Sequence, residues 1–95
     1  MTTAQFIEIM NSGNVITANS PSHMAMHRLS REAMRITVEL NNTYHTHEDI
    51  IALISELTGH EVDASFNMFP PFYTDCGKNI HFGKRVFVNS GCRFQ

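Results

Sequence analysis

The sequence predicts an α+β fold in which an N-terminal helical module leads into the first coil of a parallel β-helix. Helix-forming residues with recognisable cap signals dominate residues 1–60. Glycine, aromatic and β-branched residues dominate the end of the chain, where pairs of apolar residues recur every six positions. The composition changes near residues 66–71, so we expect a helical module over 1–60 and a truncated coil over 61–95.

Two helices are predicted in the first forty residues. Thr3 can cap a short helix that includes Phe6 and Met10 and ends near Gly13. A longer helix is predicted from about Ser22 to Asn41, because apolar residues recur there at three- and four-residue spacing. This predicted apolar stripe consists of Met26, Leu29, Ala33, Ile36 and Leu40.

A third helix is the clearest prediction of the module. Thr46, followed three residues later by Asp49, resembles a capping box, and Gly59 suits the end of a helix. Beyond it, the stretch 62–66 has β character, and Pro70 with Pro71 prevents helical continuation. A strand is therefore expected just after the helices.

The repeat near the end of the chain predicts short strands separated by corners. Gly77, Gly83 and Asn89 stand six residues apart, and these residue types enter turns of positive φ most easily. The inward-facing doublets are expected to be Ile80 and Phe82, Val86 and Val88, and Cys92 and Phe94. Fewer than three full repeats are visible, so two ordinary strands with glycine turns remain an alternative.

Charge and composition narrow the classes of partner. The net charge of -2 and pI near 6.3 provide no basic surface for phosphates, so we expect no nucleic-acid partner. No apolar run approaches the length of a membrane span, and no signal peptide is recognisable, so a cytoplasmic location is expected. Cys92 should be a small buried hydrophobe, whereas Cys76 can be exposed before its corner glycine.

Methionines and histidines suggest two further kinds of site. Met24, Met26 and Met34 could form an adaptable binding surface, but we expect them to pack in the core. His23 and His27 share one helix face at i, i+4 spacing. Because no glutamate lies between them and no third ligand follows at a recognisable spacing, we expect no metal. The remaining histidines near the third helix, His45 and His47, should be solvated.

The segment FYTDCGKNIHFGKRVFVNSGC, which begins at Phe72, resembles the start of the hexapeptide-repeat domain of the maltose and galactoside O-acetyltransferase family. The GKNIHFG and VFVN stretches are its most specific parts, and the preceding helices resemble the N-terminal region of the family. The resemblance implies a left-handed parallel β-helix, of which this chain contains only the first coil. It also implies a homotrimer in the full-length form.

The resemblance implies transfer of an acetyl group from acetyl-CoA to a sugar hydroxyl. The histidine that acts as general base in the family lies in a later coil, and acetyl-CoA is held by later coils between subunits. We therefore expect no catalytic or cofactor-binding residue in this chain, which alone should be inactive. His81 should point out of the coil. The alternative is a non-catalytic interaction or assembly module derived from this family.

Three positions match acceptor-site residues of the family. Asn89 matches an asparagine that binds the sugar near the reacting hydroxyl, although a turn asparagine needs no ligand. Asp75 matches a polar position that contacts sugar hydroxyls, although it can also cap the turn at Gly77. Phe87 stands where several members carry a tyrosine. The family's acidic acceptor residue is replaced in the stretch 17–20, so the acceptor sugar stays open.

Overall fold

A computed structural model describes residues 1–13 and 19–94 and confirms the α+β class. Within that part of the chain, no helix is both long and apolar enough to cross a membrane. Three helices precede four short strands. The helices are α1 (Thr3–Ser12), α2 (Pro21–Asn42) and α3 (His47–Thr58), and the strands are β1 (Asn67–Met68), β2 (Phe72–Thr74), β3 (Phe87–Val88) and β4 (Cys92–Phe94).

Helix α1 is capped by Thr2, so the prediction of Thr3 was wrong by one residue. The Thr2 hydroxyl accepts a hydrogen bond from the backbone N–H of Gln5 at 3.1 Å, and the Gln5 side chain accepts one from the Thr2 N–H at 2.8 Å. This reciprocal capping box needs a glutamine or glutamate three residues after the cap. Thr3 has Phe6 at that position and cannot form one.

Helix α2 buries a slightly different face from the predicted one. Ala25 is buried in place of Met26, and it forms a small buried cluster with Leu29 and with Phe6 of α1. Met26 is 36% exposed, Met24 is 67% exposed and Met34 is 62% exposed. The expectation that these methionines pack in the core was therefore wrong.

Helix α3 has the predicted ends but not the predicted surroundings. The Thr46 hydroxyl accepts a hydrogen bond from Asp49 N–H, and Gly59 ends the helix with a φ of 74°. His45 and His47 are not simply solvated. The His45 side chain is only 11% exposed, with Nε2 2.8 Å from the carbonyl oxygen of Glu39. His47 Nε2 donates to the Phe66 carbonyl at 2.6 Å, because the chain returns beside α3 there.

The stretch 62–66 is a turn, so the predicted strand was wrong, and β1 begins only afterwards. Asp63 accepts hydrogen bonds from the N–H and hydroxyl of Ser65, at 2.9 and 2.5 Å. These bonds, with a smaller contribution from the positive charge of Lys84, lower the pKa of Asp63. Val62 and Phe66 are buried as the apolar anchors of this turn, which explains the β-like composition.

The strands form two parallel pairs that share one register. Strand β1 pairs with β3, placing Asn67 opposite Phe87. Strand β2 pairs with β4, placing Phe72 opposite Cys92. In both pairs the partners are twenty positions apart along the chain. The chain therefore returns alongside itself in the same direction, which two hairpins could not do.

All three predicted apolar doublets face the core. Val88 is buried, and the other five residues, Ile80, Phe82, Val86, Cys92 and Phe94, pack partly buried against the core cluster. The inward positions of β2 are Phe72 and Thr74, so the step from them to Ile80 and Phe82 is eight residues rather than six. The two additional residues lie in the turn between β2 and Ile80.

The corners agree with the prediction at only one of three positions. Gly77 has a φ of 84°, but Gly83 and Asn89 are not in the left-handed region. Positive φ occurs instead at Arg85 (57°) and Gly91 (80°). Both residues donate hydrogen bonds to a residue twenty positions earlier. Arg85 N–H donates to the Ser65 hydroxyl, and Gly91 N–H donates to the Pro71 carbonyl.

Helices and strands share one hydrophobic core, which extends from Ala33 of α2 to Val88 of β3. Asn41, near the end of α2, accepts a hydrogen bond from the Phe72 N–H and donates one to the Phe72 carbonyl, both at 2.9 Å. Lys78 reaches Glu32 of α2 at 2.9 Å and the Glu56 carbonyl of α3 at 2.7 Å. The division into units at residue 60 stays a prediction.

Candidate functional site

Asn89 and Phe87 project from the outer face of β3 and its following residue. Between them, Val88 points inward and is buried, whereas both flanking side chains are exposed. The Asn89 side-chain oxygen accepts a hydrogen bond from the Ser90 N–H at 2.9 Å. Its amide nitrogen makes no hydrogen bond with the residues that the structure describes, so it can donate to a ligand.

Phe87 contributes to a small apolar surface next to Asn89. It is 54% exposed and packs edge-to-face on Phe69, which is 58% exposed, with ring centroids 5.2 Å apart. Two adjacent exposed aromatic rings beside an amide can contact the apolar face of a sugar ring. A tyrosine hydroxyl is absent from this position, so this chain offers the apolar contact alone.

Phe87 and Asn89 also line a wide cavity at the open end of the strand layers, here named the coil-end cavity. It has a volume of about 600 Å³. Its apolar walls are the inward-facing doublets, Ile80, Phe82, Val86, Val88, Cys92 and Phe94. The cavity therefore combines a large apolar floor with polar groups at its edge.

Asp75 lies in a different cavity, here named the helix-side cavity, between α1, α2 and the turn after β2. This cavity has a volume of about 370 Å³. Asp75 itself is exposed, and Cys76 and Gly77 line the cavity beside it. The structure thus brings Asn89 and Phe87 together but places Asp75 in the wall of another cavity.

His81 is exposed and points away from the core, as the alternation of Ile80 and Phe82 predicts. Its ring stacks on that of His60, with centroids 4.1 Å apart and an interplanar angle of 29°. His81 also contributes to the wall of the coil-end cavity. The stacking contact ties the turn after α3 to the strand layers, which favours a structural role.

His23 and His27 form a hydrogen-bonded pair on the surface of α2. Their Nε2 atoms are 3.1 Å apart, and His23 Nδ1 accepts a hydrogen bond from the Asn19 N–H at 3.0 Å. A neutral His23 ring in this geometry carries its proton on Nε2 and donates it to His27. Metal coordination would require the lone pair of that same Nε2 atom. Among residues 1–13 and 19–94, no group of three or more metal-ligating side chains is present.

Thr17 and Ala18, in the stretch that replaces the family's acidic residue, lie outside the described residues. Sequence reasoning missed Asn41, whose partner is a backbone thirty-one residues away. It also missed Thr74, although a threonine at an inward position of the apolar lattice is a recognisable signal.

No model of a known protein family matches this chain, and no curated protein sequence matches it. The fold and the two cavities therefore define the molecule only as an α+β protein with two parallel strand pairs. The resemblance to the maltose and galactoside O-acetyltransferases, which comes from the motifs of the sequence, therefore stays a prediction.

Proposed function

We propose that this chain is the N-terminal part of an acetyl-CoA-dependent sugar O-acetyltransferase, with a helical module followed by the start of a left-handed parallel β-helix. The observation that carries the proposal is the common register of the two parallel strand pairs. In this proposal, the three successive inward doublets at 66–68, 72–74 and 80–82 are the sides of one coil. The parallel pairing of 67–68 with 87–88 and of 72–74 with 92–94 supports a turn of twenty residues.

The acceptor sugar binds, in this proposal, over the outer face of β3. Asn89 offers an unengaged amide N–H to a sugar hydroxyl, and Phe87 with Phe69 offers an apolar wall. Asp75 is a second polar contact for a sugar long enough to reach it. The general base, the acetyl-CoA site and the homotrimer contacts belong to coils that follow this one, in a cytoplasmic enzyme.

Measurement of thiol release from acetyl-CoA tests whether catalysis requires the coils that follow this chain. We expect no turnover by residues 1–95 with glucosides, galactosides or maltose. The product of a reading frame extended past Gln95 should contain further hexapeptides and a histidine loop, and should turn over. Robust turnover by the 95-residue chain alone would overturn the proposal, as would an extension with no repeat.

Sugar binding tests the site itself without requiring catalysis. Titration of the chain with methyl glucoside, methyl galactoside and maltose, followed by amide chemical shifts, should perturb residues 87–89 for at least one sugar. Asn89→Ala should abolish that perturbation, because it removes the hydrogen-bonding amide. Asn42→Ala, at the exposed end of α2, is the matched control and should leave it unchanged.

A non-catalytic assembly module is the second candidate, and a specific observation favours it. Five of the six residues in the terminal doublets are only partly buried, and they line the coil-end cavity. Strands β3 and β4 each pair with a single neighbour among the described residues, so each leaves one edge for another chain. Strands supplied by another molecule would cover the apolar cavity residues and pair with the outer edges of β3 and β4.

Light scattering during size-exclusion chromatography tests this candidate. An assembly module should associate at micromolar concentration, and Phe82→Glu with Phe94→Glu should return it to a monomer by placing charges on the apolar floor. Tyr44→Glu is the control, because Tyr44 is 90% exposed and distant from the strand edges in the sequence. A well-folded chain that stays monomeric at high concentration would contradict the assembly role.

A further inference from the structure

The outer face of α2, on the side opposite the core, carries an exposed apolar patch with charges of both signs around it. Met34 is 62% exposed and Val38 is 51% exposed, and the two lie about one helical turn apart. Together with Arg31, Arg35 and Glu39 they line a shallow groove of about 480 Å³, here named the α2 groove. Exposed apolar residues with a polar rim are typical of a surface that contacts another molecule.

One cation and one anion of the α2 groove remain available for a partner. Arg31 makes no ion pair or hydrogen bond within residues 1–13 and 19–94. The Glu39 carboxylate is 3.9 Å from Nε2 of His45, and 60% of the Glu39 side chain is exposed. Arg35, in contrast, already pairs with Glu56 of α3 at 2.6 Å. The positive charge of Arg31 precedes the apolar patch along the helix, and the negative charge of Glu39 follows it.

We propose that the α2 groove binds the same groove of a second copy of this chain, with the two α2 helices antiparallel about a two-fold axis at the level of Ile36. Such an interface requires a surface that is complementary to itself. Met34 and Val38 are equally far from residue 36, so Met34 of each copy lies opposite Val38 of the other. With a rise of 1.5 Å per residue, Arg31 of one copy and Glu39 of the other lie only about 3 Å apart along the helix axis, so their side chains can form an ion pair.

The charges of the α2 groove favour a second copy over other occupants. An anionic membrane surface or an acidic peptide would repel Glu39, and a basic peptide would repel Arg31. A second copy in the antiparallel arrangement satisfies both charges twice. The patch is small, so we expect a weak dimer with a Kd on the order of 100 µM. The dimer uses neither the coil-end cavity nor the proposed sugar site, and it does not depend on acetyl transfer.

Sedimentation equilibrium between 10 µM and 1 mM tests the dimer. The mean mass should rise from 10.8 kDa toward twice that value as the concentration increases. Met34→Glu should weaken the association about tenfold or more, because it places a charge opposite Val38 in each half of the interface. Met24→Glu is the matched control. Met24 is 67% exposed on the same helix, but its level corresponds to position 48 of the second copy, beyond the end of α2 at Asn42, so the association should be unchanged.

The combined Phe82→Glu and Phe94→Glu substitutions separate this dimer from association through the coil end. The variant should be a monomer at micromolar concentration and should still dimerise between 100 µM and 1 mM, as the wild type does, because α2 is unchanged. Loss of the association in this variant with its helices intact by circular dichroism would assign the contact to the coil end and overturn the proposal.

Exchange of the two charges tests the identity of the partner. Arg31→Glu and Glu39→Arg should each weaken the dimer about threefold or more, because each places like charges opposite one another at two symmetric positions. The double variant should associate about threefold more tightly than either single variant, since opposite charges face each other again. Only a partner that carries the same two residues gives this rescue. A mass that stays at one chain up to 1 mM, equal effects of Met24→Glu and Met34→Glu, or a double variant no tighter than the single ones would overturn the proposal.

Discussion

The helical part and the strand part of this protein differ in how completely they bury the apolar residues that face the shared core. Leu40 of α2 and Ile54 of α3 are fully buried. In the strand layers, Phe82 and Phe94 face the same core yet remain partly exposed at the coil-end cavity. The core-facing residues of α2 and α3 thus find their packing partners within this chain, whereas the core-facing residues of the last strands are covered only in part.

The largest loss of stability is expected at Phe72, which lies in the core that the helices and strands share. It is 0% exposed and packs between the helices and Phe94. Phe72→Ala should lower the free energy of unfolding by about 4 kcal/mol, because it leaves a cavity in the shared core. Phe87→Ala, on the exposed outer face, should cost only about 1 kcal/mol. Urea unfolding followed by circular dichroism measures both, and equal losses would show that the two parts do not share a core.

Gly77 tests how closely the turn after β2 packs on α3. A Cβ at this position would lie 2.8 Å from Leu57 Cγ and 3.0 Å from the Leu57 carbonyl oxygen, and the φ of 84° is unfavourable for alanine. Gly77→Ala should destabilise by about 3 kcal/mol, from both effects. Gly91→Ala has a similar φ of 80°, but its added Cβ would have no atom of the described residues within 4 Å, so only the backbone cost of about 1 kcal/mol applies. A difference between them below measurement error would contradict the close packing.

Asn41 links α2 to β2 through two hydrogen bonds. Asn41→Ala should cost about 2 kcal/mol, because both backbone groups of Phe72 lose their side-chain partner. Asn42→Ala changes an exposed neighbouring amide and should have little effect. Hydrogen exchange of the Phe72 amide gives a local measurement. It should accelerate in Asn41→Ala and stay slow in the control; acceleration in both would instead indicate general fraying of α2.

The smallest expected effect concerns Asp63 and the turn before β1. The folded state lowers the pKa of Asp63 from 3.8, so its stabilising contribution is present above that value and is lost as the pH falls through the lowered pKa. Ser65→Ala removes the hydroxyl that contributes most to the shift. The stability difference between wild type and Ser65→Ala should therefore narrow below pH 3.8, without vanishing, because the bond from Arg85 is also lost. A difference that stays constant from pH 7 to pH 2 would rule out this contribution.

The helices were predictable from the sequence because their signals are local. Caps such as Thr46 and Gly59 act within a few residues of the helix end, and the structure places them as expected. The cap of α1 is Thr2 and not Thr3, because only Thr2 has a capping-box partner, Gln5, three residues later. The exposure of Met24 and Met34 was not predictable from hydrophobicity alone, because the buried face of α2 is determined by α1 and β2.

The strand layers were predicted in pattern but not in detail. The inward doublets follow from alternation, which is also local. The corners at Arg85 and Gly91 depend on hydrogen bonds to residues twenty positions earlier, at Ser65 and Pro71. A repeat of six residues in the last segment does not reveal the eight-residue step before it. For the same reason, the placement of Asp75 in a different cavity from Asn89 could not be predicted.

The contacts of α2 and α3 with β2 and with the residue before β1 determine where a further strand can pair. Asn41 occupies both backbone groups of Phe72, and His47 occupies the carbonyl of Phe66. Strands β3 and β4 pair with the opposite edge of the same layer. An incoming strand would therefore meet occupied backbone groups at Phe66 and Phe72 on the helix side, whereas β3 and β4 pair with no second strand among the described residues.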